Sequence, residues 1–594
     1  MFQRVSASIV PALFLASAAV ASSAQSQIHE ELGRFSTGPP LSGGSGVINA
    51  TPNVVLGGDD LMSRVDGADI QVNQVTTSAQ NETSFAVNPL DRNNWVGVAN
   101  DYRTGNVEIG WYTTLDGGQT FTTSTFGVDP GFSFSGDPCV VFTKNGTAVV
   151  VGMQYFGAGG SRVTAYVSQD GGLTWAKRNI DLDSSNDKPQ IDADLSNGPF
   201  AGSVTTAWDR FGAPGGDHVY VSTTADNGNT WSTSQRINDN TSVTAISPDV
   251  AYGPNSELYV MWANRGFGSF ISWVDRSFDN GATWTTDVQV APFGQVPSPI
   301  PGSVFRMFDI FAMDADQSSG PNSGNVYVAY HTWDGSQADI RVATSTDTGA
   351  TWTQNTLVND DGASFDQVFP GVVVDPGGNV NVSFFDRRLD PSNFLLWTWV
   401  ARSSDGGLTW RNERASDVGW NHVPTEFGGT FIGDYCDVEA SDRHVFPFWV
   451  DGRAGNSQDV YTDAMNLALY TDVNTIPAGT GGTAQIDVNV GPNYAGLQYL
   501  VVASASGTSP GVTVNGVDIP LNPDVVTDLS QIFANSIIFQ NNASVLDATG
   551  SATVGFDTLG PRPFLAGMTW DWVCVVLDGS GSVVHSTAPT AISF

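Results

Sequence analysis

Lysine is almost missing from this chain. Only Lys144, Lys177 and Lys188 occur in 594 residues, basic side chains number 24 against 60 acids, and the formal net charge is −36. A surface of that sign repels nucleic acid and anionic membranes and favours solubility. Cysteine is nearly as scarce, with Cys139, Cys436 and Cys574 alone, so no disulfide ladder holds the fold and packing must do so. The six histidines are scattered without a zinc spacing, and neither a phosphate-cradling loop nor a Ser-His-Asp elbow stands out. Long apolar runs are also lacking. Ile9 to Val20 is too short to cross a bilayer, and no later segment is apolar enough.

That short run has another reading. Arg4, the apolar stretch and the small residues near Ala24 together resemble a secretory leader, residues 1–24, which predicts a secreted or extracellular protein, the periplasm included. Residues 25–64 are rich in Gly, Ser and Pro and are expected to be a flexible linker. Acids are overwhelmingly aspartate. Aspartate-heavy loops leave calcium open, but no metal ligand set or cofactor is predicted.

The strongest positive signal is a short motif repeated six times. Ser or Thr precedes an Asp, one or two glycines follow, and a Thr with an aromatic closes each copy. The aspartates are Asp116, Asp170, Asp226, Asp279, Asp347 and Asp405, at steps of 54, 56, 53, 68 and 58 residues. The closing aromatics are Phe121, Trp175, Trp231, Trp284, Trp352 and Trp410. A fixed period of this length with strand-rich sequence between copies marks a propeller or solenoid. Each unit reads as four antiparallel strands with the motif between the third and fourth. The short Asp side chain accepts backbone N–H groups, the glycines take positive φ cheaply, and the aromatic anchors neighbouring units.

Strand pairs beginning near Ser84, Pro138, Pro189, Asp249, Asp309, Gln367 and Asp434 number seven, one more than the motif copies. The last unit lacks an outer strand, which Ala68 to Thr76 is placed to supply, closing the ring and removing exposed edges. The prediction is an all-β chain: a seven-bladed propeller over residues 65–470, six blades remaining the alternative, then a small β-sandwich over 480–594 as an accessory module. Cys139 and Cys436 fall on non-neighbouring blades, so no bridge is expected.

The repeat resembles the Asp-box, or bacterial neuraminidase repeat, of sialidase-like propellers. The resemblance covers about 385 residues, from Ser84 to Leu467. It implies a secreted glycan-acting protein, either a glycoside hydrolase of sialidase type or a non-catalytic glycan- or protein-binding propeller. Carbohydrate or glycoconjugate is the expected partner. Sialidases typically carry three arginines for the substrate carboxylate, a Tyr activated by Glu, and an Asp acid/base. Their Phe/Tyr-Arg-Ile-Pro motif is missing here; Phe305-Arg306-Met307 only partly echoes it.

The end of the ring opposite the Asp boxes carries a second repeat of acid and arginine. It includes Asp101 with Arg103, Asp209 with Arg210, Asp386 with Arg387 and Arg388, and Asp451 with Arg453. A pair repeated in most blades reads first as a structural ion pair. Residues that break the repeat carry more functional weight, notably Glu82 and Tyr435, which meet across the ring seam. The predicted catalytic set is Glu82, Tyr435 and Asp101, with Asp137 weighed as an alternative acid. The predicted substrate-binding set is Arg103, Arg210, Arg387, Arg388 and Arg453.

Overall fold

Continuous apolar stretches such as Ala148–Phe156 are too short for buried helices and too apolar for exposed strands, so they suit sheets covered on both faces. The computed structural model realises this seven times. It describes residues 69–594, apart from 157–159, 184, 214–215, 240–243, 267–268, 319–321, 354, 363–364, 404–405, 424, 442–443, 456, 467, 472, 474–475, 491–493, 509–510, 549 and 588. The leader (1–24), the linker (25–64) and the sixth motif aspartate, Asp405, lie outside the described residues.

Blade 1 comprises Gln80–Val87, Trp95–Asp101, Glu108–Thr114 and Thr122–Thr125, paired in that order. Five further blades repeat the order behind inner strands Phe134–Phe142, Asn186–Ala193, Thr244–Tyr252, Phe311–Ala315 and Gln367–Val374. Blade 7 is Asp437–Ala440, His444–Asp451 and Asp459–Thr462, completed by Ile70–Gln71 from the far end of the chain. The closing strand is thus shorter than the alternation of residues 68–76 predicts. Each inner strand touches the next, and the seventh touches the first, so the sheets form a closed ring.

Two devices hold the seams. Between blades 1 and 2, Val96, Val98 and Trp111 pack on Val140, Val150 and Tyr166, with Trp175 closing the cluster. Facing the axis, inner-strand acids reach across to the next blade's backbone. Met313 N donates to Asp249 at 2.7 Å, Val374 N to Asp314 at 2.6 Å, and Phe85 N to Asp437 at 2.9 Å across the closing seam. These N–H groups point away from their own sheet, and the carboxylates satisfy them.

The five described Asp-box corners are superimposable in their bonding. In blade 3, Asp226 accepts from Thr230 N at 2.8 Å, Thr230 Oγ1 at 2.6 Å and Thr224 Oγ1 at 2.7 Å. The corner glycine is needed for fit as well as for φ. A Cβ on Gly172 would lie 2.6 Å from Val96 of the preceding blade. The three cysteines are free.

The C-terminal unit is a sandwich of two antiparallel sheets. One contains Leu469–Thr471, Thr483–Asn489, Phe539–Gln540 and Ser551–Asp557. The other is built on Gln498–Ser504 and Thr569–Leu577. Leu469–Thr471 pairs with Thr483–Asn489, so the sandwich begins ahead of residue 480. A helix of about two turns, Val525–Ile532, interrupts the strands; Asp524 caps it by accepting from Val526 N at 2.8 Å. Its eight residues are too few to register as a helical period. No described helix is long and apolar enough to cross a membrane.

Candidate active site in the axial cavity

Five of the seven inner strands carry a β-bulge near the end of the ring opposite the Asp boxes. Register shifts fall between Asn81 and Ser84, Gly136 and Cys139, Asp187 and Gln190, Ile246 and Asp249, and Val368 and Gly371. At the bulge one residue takes positive φ: Glu82 at 55°, Asp137 at 54°, Lys188 at 41°, Ser247 at 55° and Phe369 at 56°. Left-handed backbone costs a non-glycine residue about 1–2 kcal/mol, and bulges re-aim side chains. Here three consecutive blades use the bulge to turn Glu82, Asp137 and Lys188 into one axial cavity of about 400 Å³.

Asp187, Asp209, Asp434, Tyr435 and Arg306 complete its polar lining, and Tyr102, Phe134, Tyr155, Phe211, Phe308 and Phe431 supply aromatic walls. The ring seam is tight at Gly433, where φ is +87° and a Cβ would stand 2.8 Å from Glu82 N. Only glycine lets the two ends of the ring approach this far.

Asp137 is the hub. It hydrogen-bonds the Glu82 carboxyl on one side and the Asp187 carboxyl on the other. Tyr155 Oη bridges Asp137 and Asp187, at 3.1 Å from the latter. Asn100 orients the group, donating Nδ2 to Glu82 at 2.6 Å while its Oδ1 accepts from Asp137 N at 2.9 Å. Carboxyls this close cannot all ionise. Burial, then the charges of Asp137 and Asp434, hold Glu82 well above the ordinary glutamate range. Burial and Asp137 push Asp187 up to about 7.

The cations are engaged or enclosed. Arg306 grips Asp434 with two nitrogens, Nε at 2.8 Å, and lies over the Phe431 ring at 4.5 Å. Lys188 Nζ stands 5.1 Å over the Tyr435 ring and, like Tyr435 Oη and Asp209 Oδ1, has no hydrogen-bond partner. Burial and the neighbouring Glu82 and Asp137 carboxyls raise the Tyr435 phenol well above its usual range, which keeps its proton on. Among the described residues no group of three or more His, Cys, Asp or Glu is arranged to hold a metal ion.

Of the predicted catalytic residues, Glu82 and Tyr435 line the cavity. Asp101 does not. It is fully buried beneath blade 1, receiving Arg103 Nη2 at 2.6 Å and Tyr112 Oη at 2.8 Å. The five predicted arginines are also outside the lining, and each is consumed locally. Arg103, Arg388 and Arg453 share one clamp: the Asp two residues earlier accepts both the arginine N–H and its guanidinium, at 2.6 to 2.9 Å. The guanidinium then lies over a third-strand ring, Tyr112, Trp399 or Tyr461, at 5.9, 4.3 and 4.1 Å. Arg210 pairs with Asp181 at 2.5 Å, and Arg387 is wholly buried against Asp366 at 3.3 Å. These are blade clamps, not a convergent carboxylate trap.

Asp187, Lys188 and Asp209 were not anticipated as site residues. Their signal is positional, because Asp137, Lys188, Ser247 and Phe369 each precede a proline, Pro138, Pro189, Pro248 or Pro370, at the same point of the repeat.

Residues 215–425 match the family model of the BNR repeat-like domain. The match covers part of a β-propeller whose described corners carry the Asp-box bonding pattern. Among solved structures, the Hadza microbial sialidase Hz136 is similar at 14% identity and TM-score 0.38, covering 63% of this chain and 73% of its own. The α-L-arabinofuranosidase Arb93A of Fusarium graminearum is similar at 14% identity and TM-score 0.40, covering 58% and 99%. The intramolecular trans-sialidase of Ruminococcus gnavus is similar at 12% identity and TM-score 0.39, covering 60% and 98%. No curated protein sequence matches.

Proposed function

We propose that this propeller cleaves glycosidic bonds at the axial cavity, with Glu82 as the general acid and Asp137 as the base or nucleophile. The observation that carries this is the Asp137 hub, where carboxyls from blades 1, 2 and 3 meet in one cavity. Glycoside cleavage needs one carboxyl that keeps its proton near neutral pH and a second that accepts or attacks. Glu82, held protonated by its surroundings, suits the first role. The aromatic walls offer flat apolar faces of the kind on which sugar rings stack. A phenolate nucleophile is less favoured, since the carboxyls around Tyr435 oppose its ionisation. The leader-like residues 1–24 support a reading in which the protein is exported.

The test is hydrolysis of a chromogenic glycoside panel by the full chain and by Glu82→Gln and Asp137→Asn. General acid–base roles predict losses of about 10²- to 10⁴-fold in kcat for either variant, with unchanged melting. The acid role also predicts a wild-type rate that falls as rising pH takes the proton from Glu82, which burial holds above the ordinary glutamate range. Glycan binding without turnover, equal in wild type and variants, would instead support the non-catalytic reading.

A further inference from the structure

We infer that the axial cavity takes an uncharged glycosyl unit, rich in hydroxyls, and rejects an acidic sugar; this rests on the glycan reading above. Three observations converge on it. The first is the charge of the lining. Glu82, Asp137, Asp187, Asp209 and Asp434 face only Lys188 and Arg306. A further carboxylate brought among them joins a group that already cannot ionise in full, so it enters only if another proton is taken up in an enclosed site.

The second is that no arginine fork remains to receive one. Arg306, the lining's arginine, already spends its bidentate geometry on Asp434. Arg103, Arg387, Arg388 and Arg453 are tied into their own blades, and Arg210 to Asp181 of the preceding blade. Lys188 does not reverse this balance, because its charge already acts on the Asp209, Asp249 and Asp434 carboxyls.

The third is what the cavity leaves unsatisfied. Lys188 and Tyr435 are each 8% exposed and Asp209 2%, yet Lys188 Nζ, Tyr435 Oη and Asp209 Oδ1 have no hydrogen-bond partner. All three residues line the cavity. Buried polar atoms left unpaired are costly, so they mark where a ligand or water must bind. Two donors and one acceptor in one pocket match hydroxyl groups, each of which both accepts and donates. A cavity of about 400 Å³ falls within the roughly 300–1,000 Å³ usual for small-molecule sites.

The experiment compares the full-length protein on neutral chromogenic glycosides (pentosides and hexosides) with a sialoside and a glucuronide of the same leaving group. Calorimetric titration of the Glu82→Gln variant with neutral and acidic oligosaccharides runs in parallel. The expected result is a preference of at least about a hundredfold in kcat/KM for a neutral glycoside, as like-charge exclusion predicts. Tyr435→Phe, which deletes one unpaired hydroxyl without changing shape, should raise KM for that glycoside about tenfold. Its kcat should move less than threefold, and its melting temperature should not fall. Sialoside or glucuronide turnover within tenfold of the best neutral substrate would overturn the inference while leaving glycoside cleavage standing. Binding of neutral oligosaccharide without any turnover would support the ligand class and overturn the catalytic reading. Neither binding nor turnover across the panel would overturn both.

Discussion

Closure of the ring can be weakened at one side chain. Asp437 accepts Phe85 N at 2.9 Å across the seam between blades 7 and 1, and Val438 N at 2.8 Å within its own strand. Asp437→Ala strands both N–H groups. Hydrogen bonds to a charged acceptor contribute about 1.5–3 kcal/mol each, which would give about 3–6 kcal/mol for the two. Two effects reduce this. Asp437 lines a second axial cavity of about 440 Å³, from which water can reach the freed groups. Burial also raises the Asp437 carboxyl above its ordinary range, so its ionised form carries a desolvation cost that alanine removes. The net expectation is about 2–4 kcal/mol, a melting shift of roughly 4–10 °C by calorimetry. Asp437→Asn, which keeps one acceptor oxygen, should lose about half as much. The pH dependence tests the reasoning further. A carboxyl with a raised folded-state pKa contributes stability that is full below its unfolded value, near 3.8, and is lost as pH rises through the folded value. The gap between wild type and Asp437→Ala should therefore be widest near pH 4 and narrow toward pH 8. A gap that widens with pH, or no melting shift at any pH, would refute the claim that these acids clamp the seams.

Asp226→Ala removes three bonds at an exposed Asp-box corner and should cost about 1–2 kcal/mol by urea denaturation, without altering glycoside turnover. Arg388→Ala breaks a nearly buried pair with Asp386 and uncovers Trp399, so a loss of about 3–5 kcal/mol is expected, with kcat on any cleaved glycoside unchanged at permissive temperature. Burial pushes Asp249 and Asp314 up to about 7 and Glu439 up to about 8, so melting temperature should fall between pH 4 and pH 8. The growing negative charge of the chain acts in the same direction. The Asp-box carboxyls act oppositely. Hydrogen bonds from Thr120 and Thr114 lower Asp116 to about 2, so its contribution is present above 3.8 and lost below that window. A stability maximum near pH 4–5 follows.

Periodicity made the ring legible because each blade repeats one local bonding pattern. The Thr-Asp-Gly corner at Asp226 is self-contained within seven residues, and its sequence therefore states its structure. The seventh blade was legible for the opposite reason: an unpaired edge at Asp459–Thr462 required a partner, and the alternation around Ile70 offered one. The site was half legible. Glu82 and Tyr435 stand out because they break the repeat, and both line the cavity. Asp101 and the arginines drew attention through charge, yet the Asp–x–Arg spacing encodes a local clamp over a third-strand ring, as Arg453 over Tyr461 shows. Asp187, Lys188 and Asp209 were hidden because their approach depends on bulges. Asp187 lies directly opposite Asp209 in the pairing of two strands, and the adjacent Lys188 is turned inward by its backbone. Side-chain direction at a bulge breaks the alternation from which strand faces are read.

The most direct test of the account is a crystal structure of the Glu82→Gln protein soaked with a neutral oligosaccharide that the wild type cleaves or binds. The account predicts a sugar ring in the axial cavity, its glycosidic oxygen within hydrogen-bond reach of residue 82 and its hydroxyls on Lys188 and Tyr435. Ordered sugar on the Asp-box face or on the C-terminal sandwich, with the axial cavity holding only water, would contradict it.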